Sequence, residues 1–191
     1  ALECAETGHL VFATCHTSTA ASTVDRIIDQ FPPDRQEQIR VMLASSLKSV
    51  IAQMLCRRKG KGRVTTFEIL AVHSAVSNMI RERKTYQIPS IIQTGKKHGM
   101  KTMNDSLMDL LDKDIIEIDE AYAKSTDKQD MNNRLNVWFL DRVKQKKMTV
   151  DQAMQAAFAK HGLLDLLRKS GYEKAVRNID IKKLEDRVIV E

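Results

Sequence analysis

The stretch His9-Leu-Val-Phe-Ala-Thr-Cys-His16, followed by Thr17-Ser-Thr19, decides the predicted fold class of this chain. Its apolar centre predicts a buried β-strand over residues 9–16, and the apolar spacing of residues 18–30 predicts a helix directly after it. A buried strand that leads at once into a helix is typical of an α/β sheet. Because such a sheet does not begin with its own middle strand, we expect the chain to be part of a larger domain.

Composition narrows the possible classes of protein. The chain has 191 residues, enough for one sizeable core or a core with a small appendage, and no apolar run reaches the length of a membrane span. Its net charge of +6 is spread along the sequence without interleaved aromatic residues, which predicts a basic surface and no nucleic-acid site. Three scattered cysteines indicate free thiols in a reducing, cytoplasmic setting.

A long helix and a hairpin are predicted next. Phe31-Pro32-Pro33 stops the first helix, and Asp34 with Glu37 has the chemistry of a capping box for the second. A hairpin follows, with arms over residues 55–59 and 63–71. The apolar residues of the second helix recur at spacings of three and four, at Ile39, Met42, Leu43, Leu47, Val50, Ile51 and Met54.

Beyond residue 72 the sequence predicts helices only. Residues 125–133 are a linker or a helix start, with a possible capping box at Thr126–Gln129, and residues 134–145 form an apolar helix. Thr149–Gln152 repeats the capping pattern ahead of a helix over residues 153–161. Four shorter helices are expected earlier, at Ser74–Lys84, Tyr86–Gln93, Thr102–Asp112 and Asp119–Lys124.

Residues 116–121 resemble residues 148–153, as Ile-Glu-Ile-Asp-Glu-Ala and Met-Thr-Val-Asp-Gln-Ala. A shared way of starting a helix is enough to explain this similarity. Residues 134–191 are compatible with a small helical appendage that ends in the apolar segment Val188-Ile-Val190.

His16 is the strongest candidate for a ligand-binding side chain. It stands at the carboxyl end of the predicted strand, where open α/β sheets bind ligands, and Thr17, Ser18 and Thr19 add hydroxyls at the following helix start. His16 is therefore placed to donate a hydrogen bond to a phosphate oxygen. The alternative is that His16 bonds only to backbone while Thr17 or Ser18 caps the helix, which is the commoner use of such residues.

Other chemistry finds little support in the sequence. Strand alternation puts His9 and His16 on opposite faces, and no closely spaced ligand pair exists, so we expect no metal site. The same alternation separates Cys15 from His16, which argues against a cysteine nucleophile. Neither Gly60-Lys61 nor Gly95-Lys96 has the glycine five positions earlier that a phosphate-binding loop needs.

Five motifs resemble, in order, those of the type IV pilus retraction ATPases of the PilT/PilU type, members of the secretion ATPase superfamily. Residues 6–32 resemble the family's histidine box, and Ala75–Glu82 is similar to the A-I-R-N-L-I-R-E motif of the retraction branch. The remaining three are Ser46–Gln53, Gly62–Ile69 and Ile91–Met103. The resemblance covers about residues 1–125.

This resemblance implies a fold and a function. The fold would be α/β, the C-terminal part of a RecA-like P-loop ATPase domain followed by a mostly helical region. Residues 1–72 would belong to the ATPase core, residues 73–125 to its helical subdomain, and residues 126–191 to an appendage of unknown role. The complete protein would be a cytoplasmic homo-hexamer, peripheral to the inner membrane, that uses ATP and Mg²⁺ and acts on an inner-membrane pilus platform protein.

The resemblance also implies residue roles. It gives His16 and His9 a part in sensing or positioning the γ-phosphate of the nucleotide, with Thr17 beside them. It ties the Ala75–Glu82 helix to retraction, through the matching residues Ala75, Asn78, Ile80, Arg81 and Glu82. Ser77 stands where the family often has arginine.

Two departures qualify the expected activity. The family's phosphate loop, acidic box and Mg²⁺-supporting carboxylate all lie upstream of the matched motifs, so we expect this chain alone not to hydrolyse ATP. Residues 134–191 have no family counterpart. The alternatives are a non-catalytic helical interaction module and a fragment of a type II secretion or pilus assembly ATPase. Against the last of these, three scattered cysteines do not supply that branch's four-cysteine metal insertion.

Overall fold

A two-stranded antiparallel sheet and its surrounding helices form the first of two structural units. The computed structural model describes residues 1–177 and residue 179, and the first unit spans Ala1–Glu117. Two 3₁₀ turns, Thr85–Gln87 and Lys96–His98, flank the helix at Ile88–Thr94. The regular elements are α1 (Leu2–Glu6), α2 (Ala20–Ile28), α3 (Pro33–Ser46), β1 (Ser49–Arg57), β2 (Arg63–Ala71), α4 (Ser74–Arg81), α5 (Ile88–Thr94) and α6 (Met103–Asp112).

The second unit begins at Ile118 and contains helices throughout its described residues. The predicted α/β class, followed by a mostly helical region, is therefore confirmed. Residues 128–133 belong to a helix, so the segment left open as a linker or a helix start is a helix start. The helices are α7 (Ile118–Lys124), α8 (Lys128–Lys144), α9 (Val150–Ala156), α10 (Lys160–Lys169) and α11 (Glu173–Val176).

The hairpin places one face of β2 towards the core. Its two strands pair in register from Ser49 opposite Ala71 to Arg57 opposite Arg63. Thr66, Glu68 and Leu70 alternate along β2 and are buried, as period-two side-chain geometry requires. Hence β2 carries a carboxylate into the interior of the first unit.

The core of the first unit is built by α2, α3, α4, α5 and the hairpin. Helical spacing on α2 and α4 brings their apolar side chains to one side, where they meet β-strand residues of the inward face. The buried members are Ala20, Val24, Ile28, Ile39, Leu43, Ala44, Val50, Leu70, Val76, Ile80, Ile88, Ile92 and Met100. Helix α2, which follows His16 and Thr17, and helix α4, which carries most of the predicted retraction motif, are therefore anchored in the same core.

The strand predicted over residues 9–16 is wrong. The β1–β2 hairpin is the sheet of the described chain, and residues 9–16 belong to neither strand. Leu10 is 82% exposed and Phe12 is 89% exposed. A strand depends on hydrogen bonds to a neighbouring strand, and no strand of the described residues supplies them here. Apolar composition alone was not sufficient evidence for pairing.

The prediction for the second helix was also wrong at its C-terminal end. The helix ends at Ser46 and β1 begins at Ser49, so Val50, Ile51 and Met54 lie in a strand. Burial alternates along β1, with Val50 and Ala52 buried and Ile51 exposed. The reason is pairing: a nine-residue β2 needs a nine-residue partner, and tertiary pairing overrides a helical spacing of apolar residues.

Two predicted capping boxes do not form. The N-cap of α3 is Pro32, which offers no side-chain acceptor, and Glu37 instead contacts Arg83. The N-cap of α8 is Asp127 rather than Thr126, and its carboxylate accepts from the N–H of Asp130. Proline at the start of a helix lacks the N–H that a cap would otherwise have to satisfy.

The capping box at Thr149–Gln152 is confirmed. The Thr149 hydroxyl accepts from Gln152 N–H at 3.2 Å, and the Gln152 side chain accepts from Thr149 N–H at 2.9 Å. The helix it starts is shorter than predicted, since α9 ends at Ala156 and α10 begins at Lys160. The apolar segment Val188–Val190 lies outside the described residues.

Candidate functional site

His16 lies in the irregular segment that leads into α2. Its side chain is exposed, and Thr17 beside it is half-buried. An exposed imidazole keeps both ring nitrogens accessible to a ligand, so the position is compatible with the predicted phosphate contact. The role of His16 stays a prediction.

Thr19, not Thr17 or Ser18, caps α2. The Thr19 hydroxyl accepts from the N–H of Ser22 at 3.2 Å, and the Ser22 hydroxyl lies 3.3 Å from Thr19 N–H. This reciprocal arrangement satisfies backbone donors that the first turn of a helix leaves free. Thr17 is thereby released from the capping role that the alternative interpretation gave it.

A chain of hydroxyls ties Thr17 to α2. The Thr23 hydroxyl donates to the carbonyl oxygen of Thr19 at 2.8 Å, and its oxygen lies 2.7 Å from that of Thr17. Because the single proton of Thr23 is already donated to Thr19, the hydroxyl of Thr17 must donate to Thr23. Thr17 would therefore have to rotate its hydroxyl before it could donate to a phosphate oxygen.

Glu68 is the buried carboxylate of this region. Its side chain accepts from the N–H of Ala20, the first residue of α2, at 2.7 Å. It also accepts from the backbone N–H of Met103, the first residue of α6. Burial raises the pKa of the Glu68 carboxyl, while the two backbone donors lower it by a smaller amount. One side chain from β2 thus joins the starts of two helices.

This geometry limits how α2 can bind an anion. A helix start attracts phosphate through free N–H groups and the positive end of the helix dipole. Here the N–H of Ala20 already meets a carboxylate, and that of Ser22 is capped by Thr19. A phosphate near residues 16–19 would therefore depend on side chains, chiefly the imidazole of His16, rather than on these amides.

His9 is held locally at the end of α1. Its Nδ1 lies 3.2 Å from the carbonyl oxygen of Cys4 and 3.2 Å from the hydroxyl of Thr7. A carbonyl oxygen can only accept, so a hydrogen bond to Cys4 places the proton on Nδ1 and leaves Nε2 as an acceptor. These contacts orient His9 towards its own turn and do not join it to His16.

The proposed retraction motif lies on α4 and divides into a buried and an exposed side. Ile80 is fully buried and Ala75 is half-buried. Asn78, Arg81 and Glu82 are exposed, and the Arg81 guanidinium donates to the Asn78 side chain at 2.9 Å. The apolar positions therefore anchor the helix, while the polar ones remain available to a partner.

Surface ion pairs follow the motif. Glu82 and Lys84 lie 2.7 Å apart, and their hydrogen bond lowers the pKa of Glu82 and raises that of Lys84. Arg83 contacts Glu37 of α3 at 2.8 Å, with both side chains more than half exposed. Pairs this open contribute little to stability, because water screens the charges.

His73 is the N-cap of α4, which the sequence analysis did not predict. The His73 Nδ1 accepts from the N–H of Ala75 at 3.3 Å, which places any ring proton on Nε2. The ring of His98 lies 5.3 Å from that of His73. The start of the motif helix is therefore held by a lone pair of the His73 ring.

Sequence reasoning missed Glu68 and His73. A charged residue among the β-formers of residues 63–71 was a usable signal, because strand alternation allowed only two faces for it. The sequence offered no comparable signal for His73, since capping by histidine depends on the turn between β2 and α4.

Metal-ligand clusters, membrane-spanning helices and the state of the cysteines can be assessed for the described residues. No three His, Cys, Asp or Glu side chains in that part of the chain cluster so that they could hold a metal ion. Among the described helices, none combines the length and apolarity that a bilayer crossing requires. Cys4 and Cys15 are exposed thiols and Cys56 is a buried one.

Comparison with known proteins identifies relatives of part of this chain. The model of the type II/IV secretion system protein family matches residues 1–60. A twitching motility protein of Neisseria gonorrhoeae is 47% identical over 133 residues, 69% of this chain and 36% of that protein. The type IV pilus retraction ATPase PilT of Pseudomonas aeruginosa is 46% identical over 125 residues, 65% of this chain and 36% of that relative. Part of this chain is homologous to the pilus retraction ATPases.

A solved structure supports the retraction ATPase homology. The crystal structure of the pilus retraction motor PilT with bound ADP aligns with a TM-score of 0.60 and 41% identity. The alignment covers 68% of this chain and 36% of the PilT chain. This chain spans about 36% of the length of these two curated relatives. The segment that bears His16 and α2 falls within the family match, which ends at residue 60, before α4.

Proposed function

We propose that this chain is the C-terminal portion of a hexameric motor ATPase that powers type IV pilus retraction and twitching motility. The observation that carries the proposal is the 47% identity to a twitching motility protein over 133 residues. Within that frame, residues 1–72 are part of the ATPase core, residues 73–125 its helical subdomain, and residues 126–191 an appendage. The motor acts at the cytoplasmic face of the inner membrane, on a pilus platform protein.

His16 is the residue of this chain that contacts the γ-phosphate of ATP. The exposed imidazole supports this role, since it is free to donate to a phosphate oxygen. Bound ATP with Mg²⁺ supplies the phosphoryl group and neutralises charge on it. Thr17 assists once its hydroxyl turns away from Thr23, and His9 supports the segment from the end of α1.

The experiment that tests this role uses the complete ATPase with His16→Ala. A contact that strengthens as charge develops on the γ-phosphate affects the transition state more than the ground state. We expect kcat for ATP hydrolysis to fall by about a hundredfold or more, while the Kd for a non-hydrolysable ATP analogue changes by less than about threefold. Ser18→Ala, an exposed neighbour, is the matched control. Equal losses of kcat and affinity, or neither loss, would contradict the proposal.

Arg81 serves retraction rather than hydrolysis. Its exposure on α4, beside Asn78 and away from the buried Ile80, supports a contact with a partner surface. In the complete ATPase, Arg81→Ala should leave hydrolysis within about twofold of normal while twitching motility is lost. A collapse of hydrolysis would show that Arg81 belongs to the nucleotide machinery.

A non-catalytic helical module is the second candidate function. The observation that favours it is the separate helical unit that begins at Ile118, which has buried residues of its own such as Leu135 and Phe139. Neither candidate expects this chain alone to hydrolyse ATP, because the family's phosphate loop lies upstream of the matched motifs. Measurable hydrolysis by the isolated chain would overturn that expectation.

A further inference from the structure

A helical repeat occurs in two copies in this chain, at a spacing of 32 residues. Helix α7 spans Ile118–Lys124 and α9 spans Val150–Ala156. Helix α8 begins at Lys128 and α10 at Lys160. The helices that precede the short ones end at Asp112 and Lys144. The end of the preceding helix, both ends of the short helix and the start of the following helix all repeat at a spacing of 32 residues. The two copies overlap in the middle of α8.

The turns between these helices repeat as well. Asp114 and Lys146 are the left-handed residues after α6 and α8, each with φ of 58°. Around Asp114, the N–H of Ile115 donates to Leu110, and around Lys146 that of Lys147 donates to Arg142, both at 2.9 Å. The same type of helix end follows α4, so the turn alone proves nothing. The common spacing of turns and helices is what indicates a repeat.

Burial follows the repeat although the sequences have diverged. Eight pairs of buried positions lie 32 residues apart. Ser106, Ile116 and Glu120 depart from the pattern, because they are buried while the residues 32 positions later are half-buried or exposed. Asn104 and Asn136 are buried asparagines at equivalent positions. The other pairs are Met103/Leu135, Leu107/Phe139, Leu111/Val143, Ala121/Ala153, Ser125/Ala157, Met131/Leu163 and Leu135/Leu167. The similarity of residues 116–121 to residues 148–153 is therefore one part of a longer match.

The turn of the first copy is a docking point for a basic loop. Lys59, which follows β1, places its ammonium 2.6 Å from Asp114 and 3.5 Å from Glu117. The backbone N–H of Lys59 also donates to the carbonyl oxygen of Ile115 at 2.9 Å. The hydrogen bond that Lys59 donates to Asp114 is the main cause of the raised pKa of Lys59. The turn thus recognises a segment by charge and by one backbone acceptor together.

The second turn has the same backbone and the opposite charge. Lys146 occupies the place of Asp114, and Thr149 occupies the place of Glu117. Residues 144–147, Lys-Gln-Lys-Lys, are exposed. Arg142 next to them lies over the ring of Trp138, 4.5 Å from its centroid. The second turn therefore presents positive charge at the position where the first turn presents a carboxylate.

We propose that the turn Gln145–Lys147 is a docking site for an acidic segment of a partner protein. The contact would combine a carboxylate on Lys146 and a backbone N–H on the carbonyl of Lys147, as Lys59 does at Asp114 and Ile115. An anionic membrane would also attract lysines, but it offers no backbone donor to the turn. The proposal goes beyond the motor activity and gives residues 126–169 a binding role.

The test uses the full chain and two labelled peptides, one of alternating glutamate and glycine and one of alternating lysine and glycine. We expect fluorescence anisotropy to show binding of the glutamate peptide. A variant with the charge of the first turn, Lys146→Asp with Lys147→Ile, should lose that affinity by about tenfold. The same variant should gain affinity for the lysine peptide by a similar factor.

Control variants keep the proposal falsifiable. Lys61→Asp with Lys97→Asp changes two lysines at exposed positions outside the second turn, and should weaken glutamate-peptide binding by less than about twofold. Circular dichroism must show that the charge-swapped variant keeps its helices, as expected if the two turns share one backbone. Equal losses in both variants, or an unchanged preference after the swap, would overturn the proposal. Binding to phosphatidylserine vesicles that depends on Lys146, without peptide binding, would overturn it in favour of a membrane.

Discussion

The start of α2 and the end of α4 both carry residues of the retraction ATPase motifs, but different forces hold them. At α2, Glu68 is 7% exposed and its carboxylate accepts from the N–H of Ala20 at 2.7 Å. At α4, the ion pair of Arg83 with Glu37 has a similar distance, 2.8 Å, but both side chains are more than half exposed. The Glu68–Ala20 hydrogen bond contributes more to stability than the Arg83–Glu37 ion pair despite the similar distances, because only the former is shielded from water.

The difference assigns distinct tasks to the two regions. A buried acceptor fixes the backbone that leads from His16 into α2, so the position of His16 depends on Glu68. Arg81 and Glu82 are exposed, so contact with a partner protein would break only weak surface interactions and would cost little free energy. Substitutions should consequently change stability at α2 and partner binding at α4.

Glu68→Ala gives the largest expected loss of stability. It leaves the N–H groups of Ala20 and Met103 buried without their acceptor, at a cost of about 3 kcal/mol in the free energy of unfolding of the first unit. Hydrogen exchange measured by mass spectrometry should show α2 and the start of α6 exchanging faster. Glu68→Gln keeps an acceptor oxygen and should lose less than half as much. Unchanged exchange in α2 after Glu68→Ala would show that Ala20 finds another acceptor.

The pH dependence of stability should show the effect of burying the Glu68 carboxyl. Burial raises the pKa of Glu68 in the folded chain, so the folded state binds a proton more tightly than the unfolded state. The resulting stabilisation is complete below the ordinary carboxyl pKa and is lost as the pH rises through the raised value. Relative to Glu68→Gln, the unsubstituted chain should therefore become more stable as the pH falls through the raised pKa towards the ordinary carboxyl pKa. Urea unfolding of both proteins at several pH values measures this, and parallel curves would refute it.

How far the sequence predicts the molecule depends on whether a feature is local. Capping at Thr149 was predictable, because Thr149 and Gln152 satisfy each other within one turn. The strand over residues 9–16 was not, because strands need a partner that lies elsewhere in the chain. The helix assigned through Met54 failed for the same reason, since β2 recruits that segment into the hairpin.

The candidate site follows the same rule. The sequence singled out His16 and Thr17 from their place before a helix, and the structure confirms that α2 starts within three residues of Thr17. It could not reveal that Glu68, 48 residues from Ala20, occupies the first N–H of that helix. A contact at such separation is set by packing of the hairpin on α2, which periodicity does not encode.

Thr19→Ala is expected to have an intermediate effect. Loss of the N-cap hydroxyl costs about 1 kcal/mol in stability, because Ser22 N–H loses its acceptor. Thr149→Ala removes the matching cap of α9 in the second unit and should cost about the same. Chemical denaturation of both variants compares them directly. A much larger loss for Thr19→Ala would indicate that its cap also supports the Thr17–Thr23 hydroxyl chain.

Glu37→Ala should have the smallest effect, and it tests the exposed half of the comparison. The Arg83–Glu37 pair connects α3 to the end of α4, but at this exposure its loss should cost less than about 0.5 kcal/mol. High salt should reduce even that difference, whereas it should leave the cost of Glu68→Ala nearly unchanged, because a buried bond is poorly screened. Denaturation of the two variants at low and high salt therefore separates surface pairing from buried capping. A loss at Glu37 that rivals the loss at Glu68 would mean that α4 is fixed by its surface pairs, and that Arg81 is not free to serve a partner.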